Sequence, residues 1–262
     1  MCLLPVAFCG GEAYNVPMKK IGVISDVHGN LPALVTALEY LDKQGCVEII
    51  HTGDVVDIGP NSLECLQLLL ERGVTCILGN HDRDFMLGVC KHRHFSHVPE
   101  EHKRYVFDTM EGYQSAVQKF PLYVTRNCGG QMILFEHYCR HQEAKDCDSM
   151  FCTIEHNPTA QIFDEMYANY TCDAVFFGHK HEPCDIVGKR VYVDVGSLGC
   201  HPQPDACGVV IEYDETSWAY RRFALPYDQE CVRKKMTDGT LPDGQYLYDF
   251  YFAHKKDLKH DF

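Results

Sequence analysis

Five short blocks along the chain carry side chains that ligate cations or move protons. "SDVHGN" holds Asp26 and His28, "TGD" holds Asp54, and "GNHD" holds Asn80, His81 and Asp82. "FEHY" holds His137, and "GHKH" holds His179 and His181. Each residue alone has an ordinary explanation: Asp and Asn are common in turns, and a single His at a strand end is usually a hydrogen-bonded surface group. It is the recurrence in five blocks that calls for chemistry. Gly53, Gly79 and Gly178 each precede a ligand-type residue, where the chain must turn tightly and approach a site without a side chain.

The elements that must position these blocks are legible as alternating apolar runs and helical periodicity. Residues 20–25 read as a strand. "NLPALVTALEYLDKQG" reads as a helix, with Asn30 as its cap, Pro32 in its first turn, Leu34, Leu38 and Leu41 on one face, and Gly45 as its stop. "VEIIH" is a second strand. Asn61 with Glu64 resembles a capping box, followed by a Leu63–Leu66–Leu70 stripe and Gly73, and "VTCIL" is a third strand. This succession predicts a parallel, right-handed α/β arrangement. Residues 84–120 are helical but interrupted. Residues 121–126 and 131–136 read as a hairpin turning at "NCGG", 157–170 as a helix, and "CDAVFFG" as a buried strand. A further hairpin spans 184–187 and 190–195, strands are expected at 207–213 and 217–224, and a short helix and an aromatic-rich extension follow from Pro226. On this map the five blocks sit at strand ends, where open α/β sheets gather their ligands.

Composition narrows the partners. With 262 residues, one large domain or a domain with an appendage is expected. An apolar share of 45% and a charged share of 23% are ordinary for a globular chain. A net charge of −13 argues against a protein that grips nucleic acid through a basic face, though cations bound in a cleft can reverse the sign locally. The 15 cysteines are scattered without a CxxC pair, which reads as reduced, buried thiols in a cytoplasmic protein. No apolar run is long enough to cross a bilayer, and residues 1–17 read as a loose leader ahead of a domain starting near Met18.

The set D-x-H, GD, GNHD, H and GHxH, in this order and spacing, resembles the calcineurin-like metallophosphoesterase superfamily from about Met18 to Tyr227. "GDVVDIGPNSLECL", "GNHDR", "FGHKHEP" and "DVGSLGCHPQPDA" are similar to its compact bacterial phosphodiesterase-like branch. The ending "RRFALPYDQECVRKKM…LPDGQY" resembles phosphodiesterases that include some diadenosine tetraphosphate hydrolases. The resemblance implies a four-layer α/β/β/α sandwich over residues 18–225, with 84–120 as a helical flap above the metals and 226–262 as an extension. It implies one divalent ion on Asp26, His28 and His181, another on Asn80, His137 and His179, Asp54 bridging both, and His81 beside the scissile phosphate. All seven metal donors are oxygen or imidazole, which suits Mn²⁺, Fe or Zn²⁺ and disfavours a thiolate zinc site. A carboxylate shared by ions about 3.5–4 Å apart is the arrangement of two-metal hydrolysis, in which a bridging hydroxide attacks a phosphoester. Asp82 is expected to orient the His81 ring or to cap a helix.

The implied activity is hydrolysis of a phosphodiester, phosphomonoester or nucleotide phosphoanhydride, the substrate being small and possibly a dinucleoside polyphosphate. The alternative is a catalytically silent scaffold of the same fold, as in retromer-associated relatives. Such members lose the catalytic histidine or some ligands, whereas this chain keeps His81 and every ligand. Departures exist. Protein phosphatases of the superfamily follow GD-x-x-D with Arg-Gly and end the next block as GNHE, so "GDVVDIG" makes a phosphoprotein substrate less attractive and gives Asp57 a supporting role. Arg140, near His137, reads as a solvated loop residue, or as a contact to phosphate. "KHRHFSH", the cysteines at 139, 147 and 152 beside His141, Ser197 and "GQYLYDFYF" read as solvated loop, inert thiols, a serine without a base and a packing strip.

Overall fold

A computed structural model describes residues 18–88, 97–141, 150–201 and 205–253. The expected leader, most of "KHRHFSH" and Cys147 fall outside them. The first strand, β1 (Lys19–Ile24), leads into helix α1 (Leu31–Lys43), β2 (Glu48–His51), α2 (Ser62–Glu71) and β3 (Thr75–Cys76). Asn30 caps α1, its side chain accepting from the Ala33 N–H at 3.2 Å. Asn61 makes no such cap. Its amide donates instead to Glu64 at 2.8 Å, so the expected capping box does not form.

Among the described residues of the expected flap segment lie most of α3 (Asn80–Leu87), α4 (Glu100–Thr109) and the single turn α5 (Gln114–Val117). The hairpin of β4 (Tyr123–Cys128) and β5 (Gln131–Glu136) follows, then α6 (Ala160–Met166), β6 (Ala174–Phe177), β7 (Cys184–Val187) and β8 (Val191–Asp194). The long antiparallel pair β9 (Asp205–Tyr213) and β10 (Trp218–Pro226) precedes α7 (Gln229–Thr237), α8 (Gly244–Leu247) and a π-helical turn over Tyr248–Phe252.

Two mixed sheets result, ordered β10-β9-β1-β2-β3 and β4-β5-β6-β8-β7. Strands β1, β2 and β3 run parallel, as do β5, β6 and β8. The inner strands are buried on both faces, so they read as continuous apolar runs rather than alternating ones. In β5, Ile133 and Phe135 face the other sheet and join Ile21, Val23, Ile50 and Val209 between the layers. Leu134, from the opposite face, packs with Phe163 and Tyr167 of the α6 region. The outer face of the first sheet is covered by α1 and α2 through Leu34, Leu38, Leu41, Leu66 and Leu69. The layers are therefore α/β/β/α. Among the described residues no helix is long and apolar enough to cross a membrane.

Candidate metal centre

The carboxyl ends of β1, β2, β3, β5 and β6 open onto one place. Backbone bonds stitch the loops there: Asp26 N–H donates to the Gly53 carbonyl (3.0 Å), His28 N–H to Asp54 (3.1 Å) and Gly178 N–H to His137 (3.0 Å). Asp26, His28, Asp54, His179 and His181 all adopt positive φ, between 44° and 74°. That region is sparsely used by residues other than glycine, although Asn, Asp and His tolerate it best. Five such residues at one spot are backbone held in a costly conformation to aim side chains inward.

The donors separate into two poles. At one, His28 Nε2 stands 3.1 Å from His181 Nε2, and Asp26 Oδ1 lies 3.9 Å from the first and 3.4 Å from the second. At the other, His137 Nε2 lies 2.9 Å from Asn80 Oδ1 and 3.1 Å from His179 Nδ1. Asp54 sits between them. Its Oδ2 is 3.7 Å from His28 Nε2 and 3.2 Å from His137 Nε2, while its Oδ1 is anchored by the His81 N–H at 2.8 Å. A glycine at position 53 is required by this crowding: its φ is +118°, and a Cβ there would stand 2.6 Å from His137 Nδ1.

These residues fit divalent cations. The ring Nδ1 of His28 faces the Val56 carbonyl at 3.3 Å and that of His137 faces the Thr52 carbonyl at 3.0 Å. A carbonyl only accepts, so each Nδ1 carries a proton, which leaves Nε2 as the nitrogen that faces the cleft and could bind a cation. Lone pairs and carboxylate oxygens this close repel one another unless positive charge lies between them. The titration behaviour carries the same message. Burial, joined by the charge of His81, pushes His28 down to about 3. Burial and His137 do the same to His179. Burial also opposes charge on His137, yet the Asp54 carboxylate, with Asp26 and Asp82, pushes it up to about 9. Asp54 itself is held well below the carboxylate range, His137, His81 and His28 overcoming the opposite effect of burial. The carboxylates draw in protons where a cation would serve.

His81, beside this cluster, is positioned by Asp57 rather than by Asp82. Its Nδ1 lies 2.8 Å from Asp57 Oδ2. Burial would lower the ring's pKa, but Asp54, then the bond to Asp57 and its charge, push it up to about 9. The expectation that Asp82 orients the ring is corrected. Both Asp82 oxygens are taken by backbone N–H groups, those of Asp54 (2.8 Å), Val55 (2.8 Å), Val56 (3.2 Å) and Gly79 (3.1 Å). Fully buried, Asp82 ties the start of α3 to the Asp54 loop instead of touching the reacting groups. Asp57 carried a faint sequence signal, three residues after Asp54 in "GDVVDIG"; its partner His102, in the charged run "EEHKRY", carried none.

Arg140 is not a loosely solvated loop residue: its Nε donates to buried Glu136 at 2.8 Å and its guanidinium lies over the Tyr123 ring at 4.5 Å. Of the cysteine group, Cys139 and Cys152 approach to 3.6 Å between sulfurs, with His141 Nδ1 3.8 Å from Cys152.

Comparisons with known proteins agree with this architecture. The profile of the calcineurin-like phosphoesterase family matches residues 19–183. An uncharacterized protein of Methanocaldococcus jannaschii is 26% identical over 259 aligned positions, covering 88% of this chain and 98% of its own. A hypothetical protein from Pyrococcus horikoshii superposes with a TM-score of 0.71 at 17% identity, over 90% of this chain and 99% of that one. A metallophosphoesterase from Sphaerobacter thermophilus gives 0.66 at 21% identity, over 87% and 98%. The structural likenesses speak to the fold; the family match spans most of the chain, including Asp26, Asp54, Asn80, His137, His179 and His181, and the chain belongs to the calcineurin-like phosphoesterase family.

Proposed function

We propose that this phosphoesterase works with two divalent ions, one held by Asp26, His28 and His181, the other by Asn80, His137 and His179, with Asp54 common to both. The observation that carries the reading is the single Asp54 oxygen facing an imidazole nitrogen of each pole at 3.7 and 3.2 Å. Ions so held, with Mn²⁺ favoured and Fe or Zn²⁺ compatible with the same donors, supply Lewis-acid polarisation of the phosphoryl group and an acidified water for attack on it. The protein's own part is positional and protonic. His81, kept protonated by the carboxylates around it, offers its cleft-side Nε2–H to the departing oxygen, while its Nδ1–H stays on Asp57. Asp82 keeps the Asp54 loop from relaxing when charge in the cleft changes.

The substrate class is a small phosphodiester, phosphomonoester or nucleotide phosphoanhydride, dinucleoside polyphosphates included. An intracellular, cytoplasmic setting belongs to the same proposal, because Cys65, Cys76, Cys128, Cys200 and Cys207 serve as buried apolar packing. A complete donor set weighs against the scaffold reading. The test is a screen of bis(4-nitrophenyl) phosphate, nucleotides and dinucleoside polyphosphates after Mn²⁺ loading, with metal content measured on the same samples. Asp54→Asn is expected to retain less than one ion per chain and to lose at least about 10³-fold in kcat/KM. Wild-type metal content in that variant, or no turnover on any phosphoester by loaded wild type, would refute the proposal.

A further inference from the structure

Asp57 has a second imidazole on it. His102, in α4, is fully buried and sets its Nε2 3.4 Å from Asp57 Oδ1, while His81 occupies Oδ2 at 2.8 Å. The other His102 nitrogen, Nδ1, lies 3.1 Å from the Pro242 carbonyl, on the chain between α7 and α8. Asp57 Oδ1 also accepts the Ile58 N–H at 3.0 Å, and His102 Nε2 stands beside that bond at ion-pair distance, without an aligned hydrogen bond of its own. The stretch holding Asp57 is itself strained: Asp57 and Ile58 have φ of 76° and 65°. Ile58 packs into an apolar cluster with Val232 and Met236 of α7, Leu247 of α8 and Leu241 between them. The flap helix and the terminal extension thus meet beside Asp57.

We propose that His102 is a positioning residue for His81: standing against Asp57 Oδ1 beside the Ile58 N–H, it helps to fix the carboxylate so that Oδ2 holds the His81 ring in line with the departing oxygen. The proposal rests on the reading of His81 as the proton donor. Without His102, Asp57 Oδ1 keeps only the Ile58 N–H, in a strained stretch, and the carboxylate that carries the His81 ring is set less firmly. An outer partner of this kind changes rate rather than substrate affinity, and its removal is worth about 10- to 100-fold.

Two variants of similar size separate this role from simple support. In His102→Gln the side-chain amide nitrogen takes the place of ring Nε2 and places an N–H against Asp57 Oδ1. In His102→Asn it takes the place of ring Nδ1 and keeps only the bond to Pro242. Full-length, Mn²⁺-loaded variants are assayed on aryl phosphodiesters with leaving phenols from weakly to strongly acidic, beside His102→Ala and His81→Ala. The expected result is a kcat loss of about 10- to 100-fold in His102→Ala and His102→Asn, with KM within about twofold. The loss should grow as the phenol becomes a poorer leaving group, as in His81→Ala, and His102→Gln should stay within about threefold of wild type. In the diamagnetic Zn²⁺-loaded chain, the deshielded Nδ1–H proton of His81 should persist in His102→Gln and be lost in His102→Asn.

Equal losses in the Gln and Asn variants, or a loss only in His102→Gln, would assign His102 to packing or to the Pro242 latch and overturn the proposal. So would unchanged kcat in all three His102 variants while His81→Ala is impaired. If His81→Ala itself shows no dependence on the leaving group, the reading of His81 fails first, and the positioning role with it.

Discussion

Gly53→Ala tests the geometry with a single methyl group and removes no donor. A Cβ at this position would lie 2.6 Å from His137 Nδ1 and 2.9 Å from both His137 Cγ and the Gly79 Cα. To reach an ordinary 3.4 Å contact the imidazole must retreat by about 0.8 Å. It cannot do so freely. Its Nδ1–H is on the Thr52 carbonyl at 3.0 Å, and Phe151 and His179 pack against the ring at centroid distances of 5.4 and 4.8 Å. A displacement approaching 1 Å at a reacting centre costs about 10²-fold, equivalent to about 2.7 kcal/mol of transition-state stabilisation. The φ of +118° adds backbone strain of about 1–3 kcal/mol, which lowers stability by itself. Gly45→Ala isolates that second effect: φ is +71° there and nothing stands within 4 Å of the new methyl. The Gly45 variant should lose about 1–2 kcal/mol in denaturant unfolding and keep its metal and rate. The Gly53 variant should fall to about one ion per chain by elemental analysis, the His28 pole keeping its ion, with kcat/KM down about 10²-fold. If Gly53→Ala matched Gly45→Ala in metal content and rate, the crowding of His137 against the Asp54 loop would not be what holds the second ion.

Two further outcomes follow from the buried carboxylates. His81 rests at about 9 against an ordinary 6.5, so in chelator-treated protein the stabilisation from this raised pKa is fully present below pH 6.5 and is lost as pH rises through 9. Asp57→Asn should therefore be about 1–2 kcal/mol less stable than wild type at pH 6, with the gap narrowing toward pH 9.5; a gap constant with pH would show that the pair contributes no charge. Asp82→Asn replaces one oxygen that accepts two backbone N–H groups with an amide that cannot accept, and should cost about 2–4 kcal/mol in urea unfolding together with looser metal retention. A change below 0.5 kcal/mol, within the range of about ±0.5 typical of a surface site, would contradict the role given to it.

Much of the layout was legible because it is local. Strand ends with a small residue and a donor, and the apolar runs of β5 and β6, are written in consecutive residues, and they led to the right layers and to one end of the sheets. The Asn61–Glu64 pattern misled because the same two side chains can bond each other instead of the helix backbone. Arg140 misled because its partners, Glu136 and Tyr123, lie on strands whose pairing is a tertiary matter. Asp82 fitted the spacing of a ring partner, yet the four N–H groups it satisfies come from loops folded over it.

From sequence alone came the donor types, their order and the strand ends that carry them, since residue identity and periodicity are properties of short stretches. Which Asp54 oxygen looks both ways, which carboxylate steadies His81, and how His102 of α4 comes to lie between Asp57 and the Pro242 carbonyl were decided only by folding. Those relations join residues from 24 to 140 positions apart, and a chain specifies contacts at that range through the packing of whole layers, not through any local pattern.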